Sequence, residues 1–204
     1  MRLTLTEFVT LDGVYQGPGG PEEDTDGGFA HGGWVVPFFE DTLGGFIHGV
    51  FGQADAFLFG RRTYDIFAQA WPKSTDPADP VARALNTLPK YVASRTLDRA
   101  DWHHTTVLGG DVAAEVATLK QQPGRELQIH GSGALAQTLF DAGLIDLVRL
   151  IVFPVVLGSG TRLFAPGRTP SGFRLADLTS TPTGVTVQTL ELAGAPEYGS
   201  MEVE

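Results

Sequence analysis

Three short segments of the chain combine glycine, hydroxyl and cationic side chains, which are the residue types that hold phosphate. They are Gly60-Arg61-Arg62-Thr63, Ser94-Arg95-Thr96 and Gly131-Ser132-Gly133-Ala134-Leu135. Glycine lets a backbone approach a ligand closely, arginine can bind a phosphate through two parallel N–H bonds, and a helix N-terminus presents unpaired N–H groups. Together these segments predict a site for an anionic ligand, although each alone is also compatible with an ordinary polar turn.

Each segment stands at the end of a predicted strand. The apolar run Ala56–Phe59 precedes the first, the strand Lys90–Leu97 contains the second, and Leu127–His130 precedes the third. The third continues into a helix and a returning strand, Leu147–Phe153, a pattern typical of a βαβ unit. We therefore expect the segments to lie at the carboxyl edge of a sheet, where ligands of open α/β sheets bind.

An Asp-Gly turn follows the first predicted strand, Leu3–Val9. Such a turn can place Asp12 and Gly13 beside a ligand, and a turn without a ligand fits the sequence equally well. His130 ends a strand and is a minor candidate for a base; packing is the simpler interpretation.

Residues 16–33 are rich in glycine, proline and acids and lead into Trp34-Val35-Val36-Pro37-Phe38-Phe39. Loops of this length in compact domains are usually functional covers or disordered segments, so we expect a mobile lid with an apolar edge. Glu40 and Asp41 then precede a predicted helix, whose dipole they would favour.

Composition limits the function classes. The 204 residues can form one domain, 1–204, with a mobile tail at 193–204. A formal net charge of −10 argues against general binding of nucleic acid or anionic membrane, and the absence of cysteine excludes disulfides and thiol catalysis.

Without a signal peptide or a spanning segment, a cytoplasmic location is expected. No metal site is predicted, since the adjacent His103 and His104 cannot both face one ion from a strand.

The combination of motifs resembles the dihydrofolate reductase-like superfamily. It is most similar to the branch that contains the reductase domain of bifunctional riboflavin biosynthesis proteins and their stand-alone relatives. The residues that carry the resemblance are Thr10-Leu11-Asp12-Gly13, Gly60–Tyr64, Val92–Thr96, Gly131–Leu135 and Pro154–Gly160. The resemblance implies a three-layer α/β/α fold with a mixed, mostly parallel central sheet, and a homodimer.

The resemblance also implies that NADPH binds across the strand ends. Gly60 to Thr63 and Ser94 to Thr96 would hold the phosphates on the adenosine side, including the ribose phosphate that distinguishes NADP from NAD. Gly131 to Leu135 would surround the pyrophosphate. These implications agree with the anion chemistry of the same residues.

The substrate end departs from the folate reductases. In those enzymes a Trp-x-x-Pro segment is followed, two residues after the proline, by the acid that binds the pterin. Here that position is Phe39 and the acid is Glu40, and one residue on a helix turns a side chain by about 100°. We therefore do not expect folate as the substrate. Asp12 and Glu40 are the catalytic candidates, and the small number of acids expected in the pocket suggests that water supplies the proton.

The predicted substrate pocket is aromatic and suits a flat heterocycle, with the substrate-binding set Asp12, Gly13, Trp34, Phe38 and Phe164. The predicted function is an NADPH-dependent reductase of a C=N or C=O group in a small planar, pterin- or pyrimidine-like substrate. Two alternatives remain open. One is a sensor that binds NADP(H) without turnover. The other is the ribosylamino-pyrimidine reductase of riboflavin biosynthesis, which would need a further cationic patch such as Arg162 and Arg168.

Overall fold

The computed structural model describes residues 1–74, 76–164, 166–167 and 169–201. Its strands are β1 (Arg2–Thr10), β2 (Ala54–Gly60), β3 (Lys90–Ala93), β4 (Thr105–Leu108), β5 (Glu126–His130), β6 (Leu147–Phe153), β7 (Gly172–Ser180) and β8 (Thr186–Gly194). Its α-helices are α1 (Asp41–Phe51), α2 (Arg61–Ala70), α3 (Pro80–Thr87), α4 (Val112–Lys120) and α5 (Gly133–Asp141). None of the described helices has the length and apolar character needed to cross a membrane.

The strands form one sheet in the order β4-β3-β2-β5-β1-β6-β8-β7. Pairing is parallel from β4 through β6, and β8 and β7 are added antiparallel at the far edge. The predicted mixed, mostly parallel sheet is confirmed. Two boundaries differ from the prediction, since β3 ends at Ala93 and β8 includes the first two residues of the predicted tail, Ala193 and Gly194. Residues 202–204 of that tail lie outside the described residues.

Both faces of the sheet are covered by helices, and the residues of its central strands are buried on both sides. On one face, Leu5 of β1 and Ile129 of β5 pack with Val116 of α4 and Leu139 of α5. The opposite face is covered by α1, α2 and α3, whose buried residues include Leu43, Tyr64 and Leu85. The result is the predicted three-layer α/β/α arrangement.

A row of buried polar side chains runs along β5 and ends at the carboxyl edge of the sheet. Arg149 donates to both carboxylate oxygens of Glu126, at 3.0 and 2.6 Å, and each side chain is only 11% exposed. Gln128 donates to Glu126 at 2.7 Å, and its carbonyl oxygen lies 2.9 Å from Nε2 of His130. Alternate residues of a strand share one face, so this row connects the ion pair to the end of β5.

We predict that Arg149→Met destabilises the fold by about 3–5 kcal/mol, because it leaves the Glu126 carboxylate buried without its cation. Equilibrium unfolding in urea measures the change. The double variant Glu126→Gln/Arg149→Met removes the orphaned charge and should recover part of the loss. Equal losses in the single and double variants would show that the ion pair is not the cause.

Candidate functional site

The three predicted anion-binding segments lie side by side. Gly60, the last residue of β2, pairs with Ala93, the last residue of β3, and β2 also pairs with β5 in parallel. The Ser132 hydroxyl links two of the segments directly. It accepts a hydrogen bond from the Gly60 N–H at 2.8 Å and donates to Oγ1 of Thr63 at 2.8 Å. Strand ends that are far apart in sequence therefore form one continuous surface.

The turn between β5 and α5 has an unusual backbone. Gly131 and Ser132 both have positive φ angles, 64° and 67°, so two consecutive residues are left-handed before α5 begins at Gly133. A side chain at Gly133 would collide with the Tyr15 ring, which packs against the start of the helix. Glycine at this position therefore allows Tyr15 to lie against the α5 N-terminus.

The N-termini of α2 and α5 differ from those of the other described helices in their capping. In α1, α3 and α4 an acidic side chain, from Glu40, Asp79 and Asp111 respectively, accepts backbone N–H bonds of the first turn. Within the described structure, α2 and α5 have no such side-chain cap and no acid in their first turn. The two uncapped N-termini belong to Gly60–Thr63 and Gly131–Leu135, where partial positive charge is left for a ligand.

The three arginines of this edge differ in their partners. Arg61 pairs with Asp65 at 2.7 Å, one turn further along α2. Arg62 pairs with Asp24 at 2.8 Å and also with Asp26, both from the 16–33 loop. The exposed guanidinium of Arg95 forms no hydrogen bond or ion pair with the described residues, so it is the cation most ready to accept a phosphate.

Ser94 and Thr96 form a compact turn after β3. The Ser94 hydroxyl oxygen accepts hydrogen bonds from the backbone N–H groups of Thr96 and Leu97, at 3.3 and 3.1 Å. This local bonding fixes the turn that presents Arg95.

A cavity of about 770 Å³ opens beside these segments and includes Thr63 and Gly131 in its wall. Most of the wall is apolar, with Val35, Val36, Phe39, Ile47, Phe51, Ile66, Phe67, Trp71 and Val81 among the lining residues. A volume of this size and an apolar wall are typical of sites for small organic ligands.

The predicted lid contributes to the cavity wall through Gln16–Gly19, Glu23 and Asp24. The buried Gln16 amide holds it in place, donating to Oδ1 of Asp24 and to the Asp26 carbonyl at 3.0 Å each. Its carbonyl oxygen accepts from the Thr161 N–H at 3.0 Å. The loop is therefore tied both to itself and to the segment after β6.

The cavity reaches the point where β5 stops and β1 continues. The last pair between them is Thr6 with His130, whereas β1 pairs with β6 as far as Thr10. Glu7 is thus the first β1 residue beyond the end of β5. It lines the cavity together with Thr6 and Phe8.

Two buried oxygens at this point have no hydrogen-bond partner among the described residues, Oγ1 of Thr6 and Oε2 of Glu7. Glu7 is 3% exposed. Burial raises the pKa of its carboxyl to about 8, against a smaller opposing effect of a hydrogen bond from the Phe8 backbone. Glu7 is therefore largely protonated at neutral pH. Buried polar atoms are normally paired, and because these two belong to residues of the cavity wall, a molecule bound there would be placed to supply the missing partner.

His130 is neutral at physiological pH. Burial, with a contribution from the Arg149 charge, lowers its pKa to about 3, and its ring stacks on Phe51 at 4.2 Å. The packing interpretation from the sequence fits this environment. His130 nevertheless forms part of the cavity wall.

Asp12 lies outside the cavity wall and holds a neighbouring loop. Its carboxylate accepts hydrogen bonds from the Thr10 hydroxyl at 2.6 Å, the Leu157 N–H at 3.2 Å and the Gly158 N–H at 2.9 Å. It also pairs with Arg162 at 3.1 Å. The hydrogen bond from Thr10 is the largest of the causes that lower its pKa to about 2. The described contacts of Asp12 are thus those of a loop anchor.

The other catalytic candidate, Glu40, and the other predicted substrate-binding residues also lie outside the cavity wall. Glu40 caps α1 by accepting from the N–H groups of Thr42 and Leu43. The Gly13 carbonyl accepts the Leu163 N–H at 3.0 Å. The remaining three are aromatic, and none of them lines the cavity.

Trp34 is buried, donates to the Gln16 carbonyl at 2.8 Å and packs edge-on against Phe153, which Phe38 also contacts. Phe164 is 51% exposed and packs against Phe140 and Phe173. The apolar edge of the lid does reach the cavity, but through Val35, Val36 and Phe39.

Sequence reasoning missed Glu7 and Tyr15 and underestimated the number of acids in the pocket. Glu7 belongs to the predicted first strand, and Tyr15 lies between the Asp-Gly turn and the 16–33 loop, so neither was a candidate for the site. The sequence does contain a feature that could have identified Glu7. It lies in the same alternating series as Leu3, Leu5 and Val9 along the first strand, so its carboxyl would face the core that those apolar residues form.

The sheet order, the two antiparallel closing strands and the cavity at the strand ends define a dihydrofolate reductase-like fold. A family model described as the RibD C-terminal domain matches residues 2–188, and the chain belongs to that family.

Comparisons with individual proteins agree with this assignment. The chain is 29% identical to the uncharacterized protein YyaP of Bacillus subtilis (strain 168) over 190 residues, which cover 90% of this chain and 91% of YyaP. A putative riboflavin biosynthesis protein from Shewanella sp. PV-4 has a similar structure, with a TM-score of 0.69 and 22% identity over 94% of this chain and 99% of that one. Dihydrofolate reductase from Enterococcus faecalis, solved with NADP(H), gives a TM-score of 0.60 at 13% identity over 94% and 96%.

We predict that Glu7→Gln changes how stability depends on pH. In the unfolded chain Glu7 loses its proton near its ordinary value of 4.5, whereas the folded protein keeps the proton until about pH 8. Between these two pH values the folded state binds more protons than the unfolded state. The free energy of unfolding of the wild type therefore falls as pH rises, by on the order of 1.4 kcal/mol for each unit by which the two pKa values differ. The variant should lack this decline.

Urea unfolding of both proteins between pH 5 and pH 8 tests this, since the other titrating groups are common to both and cancel in the comparison. Parallel pH profiles would mean that Glu7 is ionised in the folded protein.

Proposed function

We propose that this protein is an NADPH-dependent reductase that transfers hydride to a C=N or C=O group of a small planar, pterin- or pyrimidine-like substrate. The observation that carries the proposal is the meeting of two uncapped helix N-termini and the unpaired Arg95 at one sheet edge, beside an apolar cavity. Membership of the RibD C-terminal domain family supports it. So does the similar fold of a dihydrofolate reductase whose structure was solved with NADP(H).

The residues present fit this cofactor. Gly60–Thr63 and Ser94–Thr96 would hold the phosphates on the adenosine side, with Arg95 and Arg61 as the cations. Gly131–Leu135 would hold the pyrophosphate, because the left-handed turn leaves the α5 N-terminus free of a side-chain cap. When bound, the cofactor supplies the hydride. The protein positions both ligands and excludes water from the apolar cavity.

The proposal extends to the assembly that the resemblance implies and to the location expected from the sequence. The unit would be a single domain over 1–204, acting in the cytoplasm as a homodimer on a small-molecule substrate. Because Asp12 and Glu40 have the contacts of a loop anchor and a helix cap, neither has a described contact that would place it at the reacting atoms.

We predict that NADPH binds to the purified protein and that Arg95→Ala weakens the binding about 10- to 100-fold. A hydrogen bond to a charged group is worth about 1.5–3 kcal/mol, and 1.4 kcal/mol corresponds to a factor of ten. Titration of the nicotinamide fluorescence with wild-type and variant protein measures the change.

Arg99→Ala is the matched control, since Arg99 is exposed nearby in the chain and pairs with Asp101 outside the three segments. The control should bind as the wild type does. Titration with NADH should show weaker binding to the wild type and little effect of Arg95→Ala. No affinity for NADPH in the wild type would overturn the cofactor assignment.

Turnover distinguishes the reductase from a sensor. We predict that the protein oxidises NADPH in the presence of at least one neutral planar acceptor from a panel of dihydropterins, cyclic imines and quinones, followed by the loss of nicotinamide absorbance. The ribosylamino-pyrimidine phosphate belongs in the same panel as the test of the alternative substrate. Tight binding of NADPH with no oxidation by any member of the panel would favour the sensor.

A further inference from the structure

Glu7 is a buried acid in the cavity wall to which the proposed function gives no role. It stands beyond the last β1–β5 pair, where β1 is no longer covered on that side by β5. Its Oε2 atom has no hydrogen-bond partner among the described residues. A reductase of this kind needs a source for one proton, because hydride addition to C=N or C=O leaves an electron pair on nitrogen or oxygen.

From this geometry, and on the basis of the proposed function, we infer that Glu7 is the catalytic proton donor to a neutral, phosphate-free substrate. As the substrate carbon gains the hydride, the π electron pair moves to the adjacent nitrogen or oxygen. That atom takes the proton from the Glu7 carboxyl, so one O–H bond breaks and one N–H or O–H bond forms. Glu7 is left as a carboxylate and regains a proton from solvent before the next turnover. The substrate becomes an amine or an alcohol.

The surroundings of Glu7 suit an acid that is protonated before the reaction. Its partner in β6 is Leu150, so that neighbouring strand contributes no charge at this position. The titratable group that responds to Glu7 is Tyr15, which follows β1, and the charges of Asp24 and Arg62 also act on Tyr15. His130, opposite the adjacent Thr6, is neutral at physiological pH. Burial is the main cause that holds the Glu7 pKa at about 8, and the cause that opposes it is a hydrogen bond from the Phe8 backbone. A general acid is most effective when its pKa is close to the working pH.

The polarity of the cavity supports a neutral substrate. Its wall is mostly apolar, and Arg62, the arginine in it, is paired with Asp24 and Asp26. After donating its proton, Glu7 would be a carboxylate in an apolar wall. A phosphate on the substrate would repel this carboxylate and would therefore oppose the proton transfer.

The first test observes the proton without any substrate or cofactor. Infrared spectra recorded from below to above the pKa of about 8 should show a protonated carboxyl band that disappears as pH rises, and Glu7→Gln should lack it. The matched control is Glu115→Gln, because Glu115 on α4 also has a buried, unpaired oxygen but lies outside the cavity wall. The control should keep the band. Absence of a protonated carboxyl in the wild type at neutral pH overturns the inference.

The second test uses whichever acceptor of the panel is reduced. Glu7→Gln should lower kcat by roughly a hundredfold or more and should abolish the decline in rate above about pH 8, while NADPH affinity stays unchanged. Glu115→Gln should keep the wild-type rate and pH profile. An unchanged kcat and pH profile in Glu7→Gln overturns the role of proton donor, as does a loss confined to NADPH affinity or KM.

The two proposals fail in different ways. If the wild type does not bind NADPH in the fluorescence titration, the reductase itself is wrong and the assignment of Glu7 falls with it. If the wild type binds and oxidises NADPH and Glu7→Gln does so equally well at every pH, only the proton donor is wrong.

Discussion

The pairing of β1 with β5, and its end at Thr6 and His130, is the constraint on which the site depends. Parallel pairing sets the carboxyl ends of β3, β2 and β5 at one edge, so the glycine turns after them become neighbours. Because β1 continues beyond β5 to meet β6, its next residues stand over a gap in the sheet. The same register therefore creates both the surface where the three segments meet and the cavity beside it. A shift of one residue in β1 would turn Glu7 to the opposite face.

Acidic side chains are distributed in a way that preserves this edge. The protein carries a formal net charge of −10, yet the acids that cap α1, α3 and α4 are missing from the starts of α2 and α5. Asp24 and Asp26 of the 16–33 loop are paired with Arg62, and Asp65 of α2 is paired with Arg61. An anionic ligand at these segments would thus meet two helix N-termini without acidic caps, together with the Arg95 guanidinium. Favourable local electrostatics and a strongly acidic surface are compatible because screening limits the reach of exposed charges to about 10 Å.

Much of this architecture follows from the sequence. The three segments around Gly60, Ser94 and Gly131 could be predicted to converge because strand, turn and helix recur in a pattern that only a parallel sheet accommodates. Contacts made across long sequence distances could not be predicted. The carboxylate of Asp12 is engaged by Leu157, Gly158 and Arg162, about 150 residues away, so a turn residue that looked available for a ligand has other partners. Phe164 likewise packs against Phe140 and Phe173 on a different surface.

The distribution of cations also bears on the choice between substrates. A ribosylamino-pyrimidine brings its own phosphate, and the sequence offered Arg162 and Arg168 as its partners. Arg162 donates to the carbonyl and the carboxylate of Asp12, at 2.8 and 3.1 Å, so holding a phosphate would require it to leave the loop that it stabilises. Arg168 lies outside the described residues. Arg95 has no ion-pair partner among the described residues, and it stands after β3 in the segment proposed to hold the cofactor. Arg162 is already engaged by Asp12, and a neutral substrate would not require its release.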